Sequence, residues 1–412
     1  MARIKPFKAI RPEKDLAEKI AALPYDVYNR EEAKAEIAKE PHSFLRIDRA
    51  ETNFPDHVST YDTAVYEKAK DLLEEMLKNG EFVTEEKECF YIYELIMEGR
   101  SQTGLVACAS VDDYVSGVIK RHENTRTDKE LDRINHIDRC NAQTGPIFLT
   151  YRNSDRVKEL IDSKKLEEKL YGFTSADGIS HNIWKLDQEE VVNNMKEEFE
   201  QIPAVYIADG HHRAASAVKV GLKRREEQPE YNGKEEFNFF LSVLFPAEEL
   251  LIMPYNRVVK DLNGYTEEEF LKKTTEYFTL EELGSKAYAP KEKGEYGMYL
   301  ENKWYKLVIK NDYRKDDDPV AGLDVSLLQD NLLENILGIK DPRSDKRIDF
   351  VGGIRGLAEL ERRVSEDMKV AFSLYPTGIK ELMAVSDAGE LMPPKSTWFE
   401  PKLRSGLFIH KI

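Results

Sequence analysis

Cysteine is scarce. Three residues in 412, at positions 89, 108 and 140, are too few and too scattered for a disulfide framework or a thiolate zinc site. An excess of positive charge is missing too: 77 acidic residues stand against 61 basic ones, for a formal charge of −16. Such a chain is repelled by phosphate backbones and anionic lipid unless a local basic patch intervenes. Its basic runs, such as "GLKRREE", are interrupted by acids. Nucleic acid and membrane surfaces are therefore not expected as partners. No run approaches the ~20 apolar residues of a membrane span. The opening "MARIKPFKAIRPEKD" has no apolar core of signal-peptide type. A soluble cytoplasmic protein is the expectation. Fixed-period repeats and low-complexity tracts are also lacking.

What is present suits globular cores: 41% hydrophobic and 10% aromatic residues in a length that predicts two or three domains. The pattern predicts an N-terminal α+β region over 1–115. It contains a short helix capped by Asn29, an amphipathic helix over 60–79, and a hairpin in "CFYIYELIMEGRSQTGLVACASV". A middle segment over 116–262 follows. "DYVSGVIK", "GPIFLTY", "SHNIWKLD" and Ala204–Ala208 read as strands, and "LDRINHIDRCNAQ", "SDRVKELIDSK" and "QEEVVNNMKEEFEQI" as helices. "FNFFLSVLF" and "LIMPYNRVV" read as two strands able to form a second hairpin. Over 263–412 helices and strands alternate as in a mixed α/β domain, with "DVSLLQDNLLENILG" one of the helices. The expected fold class is α+β or mixed α/β.

Histidine is rare, eight in all, yet two stand side by side in Asp209-Gly210-His211-His212-Arg213, between an apolar strand and a small-residue helix. A helix start presents unpaired N–H groups and the positive end of its dipole, so it attracts anions. Gly210 lets backbone approach a ligand closely, and Arg213 can grip a phosphate with two N–H groups. Read blandly, Asp209 is an N-cap, the histidines are turn residues and Arg213 is a solvated base. A second packet, Arg121-His122-Glu123-Asn124-Thr125, follows the strand "YVSGVIK". Two strand ends loaded with His, Arg and an acid point to a shared cleft at one edge of a sheet. There Glu123 would serve as a general base for a hydroxyl nucleophile. The alternative for that packet is an exposed, salt-bridged turn.

"ADGHHRAASAV" resembles the phosphate-binding signature of the ParB/sulfiredoxin-like superfamily, and within it most resembles the ParB-like free-serine kinases. At whole-chain level the sequence resembles the prokaryotic family called domain of unknown function 1015. The matching stretches are "LPYDV", "SFLRI", "RHENT", "GPIFLTY", "DGHHR", "PYNRVV" and "MPPKSTWFEPKLRSGL". The resemblance implies a ParB/sulfiredoxin-like nucleotide-binding core over 116–262, flanked by additional N- and C-terminal α/β segments. It implies that Gly210, His211, His212 and Arg213 cradle nucleotide phosphates, with His211 also in the catalytic set. Glu123 would accept the proton of a serine hydroxyl. Asp209 would organise Mg²⁺ or orient the nucleophile. Arg121, His122, Thr125, Arg257 and Lys395 are further candidates for substrate or phosphate contacts. Two points depart from the pattern. The chain is longer than the archaeal serine kinases, and none of its cysteines falls inside the motif, as sulfiredoxin chemistry would require.

The expected function is thus a Mg²⁺-dependent phosphotransferase using ADP or ATP, with free L-serine as acceptor and O-phosphoserine as product. Its rivals are a nucleotide-binding and hydrolysing regulator without a small-molecule acceptor, and a non-catalytic interaction protein. "PPKST" lacks the glycines of a phosphate-binding Walker loop. Gly352-Gly353-Ile354-Arg355-Gly356 is a strand-to-helix turn that either touches ligand or serves tight packing. Sequence leaves the oligomeric state and the choice between ADP and ATP open.

Overall fold

The computed structural model describes residues 1–412, which form two compact units: Met1–Leu250 with Pro401–Ile412, and Leu251–Glu400. Both are mixed α/β in content, and no helix is long and apolar enough to cross a membrane.

Local chemistry explains the elements read correctly from sequence. Asp62 accepts from the Ala64 amide at 2.9 Å and opens the helix Thr63–Lys78. Val65, Ala69, Leu72, Leu73 and Met76 recur at helical spacing and form its buried face. The hairpin Phe90–Met97 and Arg100–Ser110 closes on Glu98-Gly99, both at positive φ (50° and 81°), the requirement of a two-residue turn matched to strand twist.

The first unit is built on a nine-stranded sheet. Its order runs Ile119–Lys120, Val205–Asp209, Ile147–Tyr151, Phe239–Pro246, Arg100–Ser110, Phe90–Met97, Ser180–Leu186, Tyr171–Thr174, with Ile4–Lys5 also on Arg100–Ser110. Segments 1–115 and 116–250 therefore contribute to one sheet. Most pairings are antiparallel, but Ile119–Lys120 runs parallel to Val205–Asp209, and Ile147–Tyr151 parallel to Phe239–Pro246. Leu149, Ile207 and Leu244 are fully buried in its core, each worth about 1.5–3 kcal/mol of apolar burial. The three cysteines are buried and unpaired.

The parallel pairing at the edge positions the site. Neighbouring parallel strands end on the same side of a sheet, so the residues after Lys120 and after Ala208 emerge together. The helix His211–Glu227 then packs on the helix Thr127–Cys140. Ser216 Oγ donates to the Glu130 carbonyl (2.9 Å), Lys219 pairs with the Glu130 carboxylate (2.8 Å), and Arg224 with Asp138 (2.9 Å). Alanines at 214, 215 and 217 and Gly221 keep the helix slim. A Cβ at Gly221 would stand 2.4 Å from the Phe237 carbonyl oxygen.

The second unit holds a six-stranded sheet, every pairing antiparallel, in the order Phe278–Gly284, Lys303–Ile309, Glu295–Leu300, Val370–Leu374, Tyr255–Val259, Ile348–Gly352. Three sequence expectations are corrected here. "DYVSGVIK" is not one strand: Ser110 caps a helical turn, Val111–Val115, Gly117 takes φ +80°, and only Ile119–Lys120 is extended. "FNFFLSVLF" and "LIMPYNRVV" form no hairpin, since Phe239–Pro246 joins the first unit's sheet and Tyr255–Val259 the second's. "DVSLLQDNLLENILG" is α-helical only over Asp324–Leu328 and continues as a π-turn, Gln329–Glu334.

Candidate functional site

The strand Val205–Asp209 ends at Gly210, whose φ of +91° turns the chain into the helix His211–Glu227. The first intrahelical bond runs from the Ala214 amide to the Gly210 carbonyl (2.9 Å), so the amides of His211, His212 and Arg213 precede the ladder. No side chain caps this end. A Cβ on Gly210 would meet the Arg213 guanidinium at 3.1 Å, so the glycine is what lets that guanidinium lie close against the turn.

Facing this turn is the loop after Ile119–Lys120. The rings of His122 and His211 meet edge to face with centroids 4.4 Å apart. His211 Nδ1 faces Glu123 Oε2 at 3.9 Å, and Nε2 of the same ring is buried with no hydrogen-bond partner. The ligand-type atoms of His122, Glu123 and His211 all lie within 4.8 Å of one another. His212 turns the other way: its Nε2 accepts from the Arg126 amide at 2.9 Å, tying the loop 121–126 to the start of the helix His211–Glu227. The two polar packets separated in sequence are one cluster.

Charge in the cluster is arranged around Asp209. Oδ2 meets Lys402 Nζ at 2.8 Å, and Oδ1 accepts from the Gly210 amide at 2.8 Å. Burial acts to raise this carboxyl, but the charges of Lys402 and then Arg213 outweigh it and hold the group well below the ordinary carboxylate range. Burial pushes His122 down to about 4 and takes His211 well below its ordinary value, assisted there by the neighbouring His122. Both rings are thus neutral at pH 7, each able to offer a lone pair and a single N–H. Arg213 Nη1 donates to the Pro146 carbonyl (2.6 Å), in "GPIFLTY".

Other expected residues sit as follows. Arg121 lies over the Tyr114 ring at 5.3 Å, at the exposed rim. Thr125 Oγ1 donates to Glu130 at 3.3 Å and so braces the loop against the helix pair. Arg257 and Lys395 belong to the second unit and meet each other there. Buried Arg257 donates through Nη2 to the Lys395 carbonyl (3.1 Å) and through Nη1 to that of Tyr255, and Lys395 adopts φ +59°.

Two features escaped the sequence reading. Lys402, 193 residues from Asp209, is the cation that completes the strand end. A cavity of about 30 Å³ adjoins Arg213, lined among others by Tyr25, Asp48, Arg133, His136 and Ser405. Arg133 stacks on Tyr25 at 4.0 Å and pairs with Asp132 at 2.9 Å; Asp48 accepts from Thr144 Oγ1 at 3.0 Å. Tyr25 lies within the quoted stretch "LPYDV", Asp48 directly follows "SFLRI", and Gly145 and Ile147 belong to "GPIFLTY".

Residues 4–326 match the family described as "Protein of unknown function (DUF1015)". The chain belongs to this family. No curated protein matches it in sequence. Among solved structures it is similar to a conserved hypothetical protein from Pyrococcus furiosus, at TM-score 0.36 and 13% identity over 74% of this chain and 94% of that one. It is also similar to a free serine kinase in complex with AMP, at TM-score 0.35 and 13% identity over 77% and 92%. A third similarity is to SbnI with C-terminal truncation from Staphylococcus aureus, at TM-score 0.37 and 11% identity over 73% and 85%. Likenesses of this depth carry no weight for activity.

Proposed function

We propose that this family member is a phosphotransferase of the free-serine-kinase type, built on a ParB/sulfiredoxin-like nucleotide-binding core. The observation that carries the reading is the meeting of an uncapped, amide-rich helix start with a carboxylate from another strand end, at 3.9 Å between His211 and Glu123. Phosphoryl transfer needs chiefly an in-line nucleophile and neutralisation of charge on the moving group. The amides of His211–Arg213, the Arg213 guanidinium and the His211 N–H supply the second requirement.

Glu123, whose side chain is 38% exposed, supplies the first. Its carboxylate takes the proton from the acceptor hydroxyl, the hydroxyl oxygen forms a bond to the terminal phosphorus of ADP or ATP, and the bridging oxygen leaves with the shortened nucleotide. Free L-serine is the proposed acceptor and O-phosphoserine the product. Asp209 anchors Lys402 and the Gly210 amide beside the phosphates. Mg²⁺ is a hard cation that prefers oxygen. The oxygens able to hold it are those of Asp209, which keep lone pairs beyond their bonds to Lys402 and the Gly210 amide, and those of the nucleotide itself. When bound it neutralises phosphate charge.

Purified protein incubated with Mg-nucleotide and a panel of amino acids tests the reading. Serine-dependent nucleotide consumption with phosphoserine formed is the expected result. Consumption indifferent to every acceptor replaces the kinase with a nucleotide-hydrolysing regulator, and no consumption at all removes both. Glu123→Gln lowers turnover by about 10²–10⁴-fold, the contribution typical of a positioned base, while nucleotide affinity stays close to wild type.

A further inference from the structure

Three side chains in the cluster have donor chemistry that phosphate binding does not use up. His122 and His211 are buried, at 1% and 5% exposure, and stand at the ends of two different strands. A buried imidazole nitrogen without a hydrogen-bond partner is costly in a folded protein, and His211 Nε2 is one. Glu123 brings a carboxylate to the same place, and the three ligand atoms fall within 4.8 Å of one another. The 3.9 Å between His211 Nδ1 and Glu123 Oε2 is longer than a hydrogen bond. Metal bonds of about 2.0–2.2 Å set tetrahedral neighbours about 3.4 Å apart, so small side-chain adjustments would close these groups on one ion. The ion would also give a partner to one of the two ring nitrogens of His122, both buried without a hydrogen bond.

We infer that His122, Glu123 and His211 form a binding site for one divalent transition-metal ion of the Mn²⁺, Fe²⁺, Co²⁺ or Zn²⁺ type. Two imidazoles and one carboxylate favour such ions, whereas Mg²⁺ favours all-oxygen surroundings. Three protein ligands leave coordination positions open. A nucleotide phosphate oxygen or a water fills them. The adjacent pair His211-His212 is not the chelate: His212 is held by the Arg126 amide, and His122 from 89 positions earlier takes its place. Use of the ion in turnover rests on the phosphotransfer reading; its binding does not.

The test is a Co²⁺ titration of the full chain after chelator treatment, without nucleotide, followed by visible d–d absorption. Wild-type protein is expected to give one saturable band at a one-to-one ratio, displaced by Zn²⁺. Glu123→Gln and His211→Gln are expected to weaken binding beyond the roughly 10–100-fold that follows loss of a supporting residue outside the ligand set. Melting temperature and circular dichroism establish that each variant is folded. Because His211 is buried, Glu123→Gln is the variant with less structural risk. No saturable band in the wild type, or a band unchanged in both variants, overturns the inference. Phosphoserine formation in Mg²⁺ alone, measured on the same preparation, separates the two readings. Turnover without Co²⁺ binding removes the metal site and keeps the kinase. Co²⁺ binding without turnover under any ion does the reverse.

Discussion

Exchange of Lys402 for methionine removes the ammonium that meets Asp209 at 2.8 Å and keeps most of the alkyl stem. The side chains are 16% and 35% exposed, so the pair is neither free in solvent nor fully dry. Exposed pairs contribute about 0.2–1 kcal/mol, and removing one partner of a fully buried pair costs about 3–5 kcal/mol. With a third of the carboxylate in water, a coupling of about 1–2 kcal/mol is expected between these limits. A double-mutant cycle with Asp209→Asn measures it by urea unfolding. Trp184 reports on the first unit, in a background where Trp304 and Trp398 of the second are phenylalanine. Asp209 is depressed in the folded chain, so the stability it contributes is fully present above its unfolded value of 3.8 and is lost as pH falls further, through the folded value. The coupling therefore holds from pH 7 to 5 and shrinks below about 4. A coupling under about 0.3 kcal/mol at pH 7, within the scatter of additivity, refutes the assignment of Lys402 as the partner that holds this strand end.

Acidification acts oppositely on the two units. Burial lowers His122 to about 4 and His181 to about 3, from 6.5, so the unfolded chain binds more protons below pH 6.5. The first unit then loses about 2 kcal/mol per histidine between pH 7 and 5. In the second unit burial raises Asp324 to about 7, so its contribution grows as pH falls toward 3.8, by about 2 kcal/mol over the same interval. Urea midpoints read separately at Trp184 and at Trp304 with Trp398 check both signs; parallel shifts contradict them. Gly210→Ala places a Cβ at φ +91° and 3.1 Å from the Arg213 guanidinium. It is expected to lower stability by about 1–2 kcal/mol and to weaken nucleotide binding, and a calorimetric titration at wild-type affinity counts against this turn as part of the site.

Short-range chemistry made much of this legible. The helix Thr63–Lys78 has a cap and a 3.6-residue apolar stripe, and the hairpin at 90–110 has its Gly turn. The seam at 209–213 declares itself through composition alone. The stretch before the second packet misled, because Tyr114, Val115, Val118 and Ile119 are as strand-like as any; Ser110 and Gly117 decide the matter through a cap and a left-handed turn. Consecutive strands at 239–259 misled because separation into different units is written in long-range burial rather than in local pattern. Lys402 was hidden for the same reason. Nothing near it in sequence distinguishes it from Lys395, and only the return of 401–412 to the first unit brings it to Asp209. The cavity beside Arg213 draws on residues 25, 48, 133 and 136, and their convergence is set by long-range packing.

The central claim is that residues 121–125 and 209–213 make one polyanion site with Arg213 as its charged grip. Isothermal titration of Mg-ADP into wild-type protein and Arg213→Ala, each confirmed folded by its melting curve, tests it most directly. The variant is expected to lose about 1.5–3 kcal/mol of binding free energy, the value of a charge-assisted hydrogen bond. Equal affinity in the two proteins, or no binding by the wild type, contradicts it.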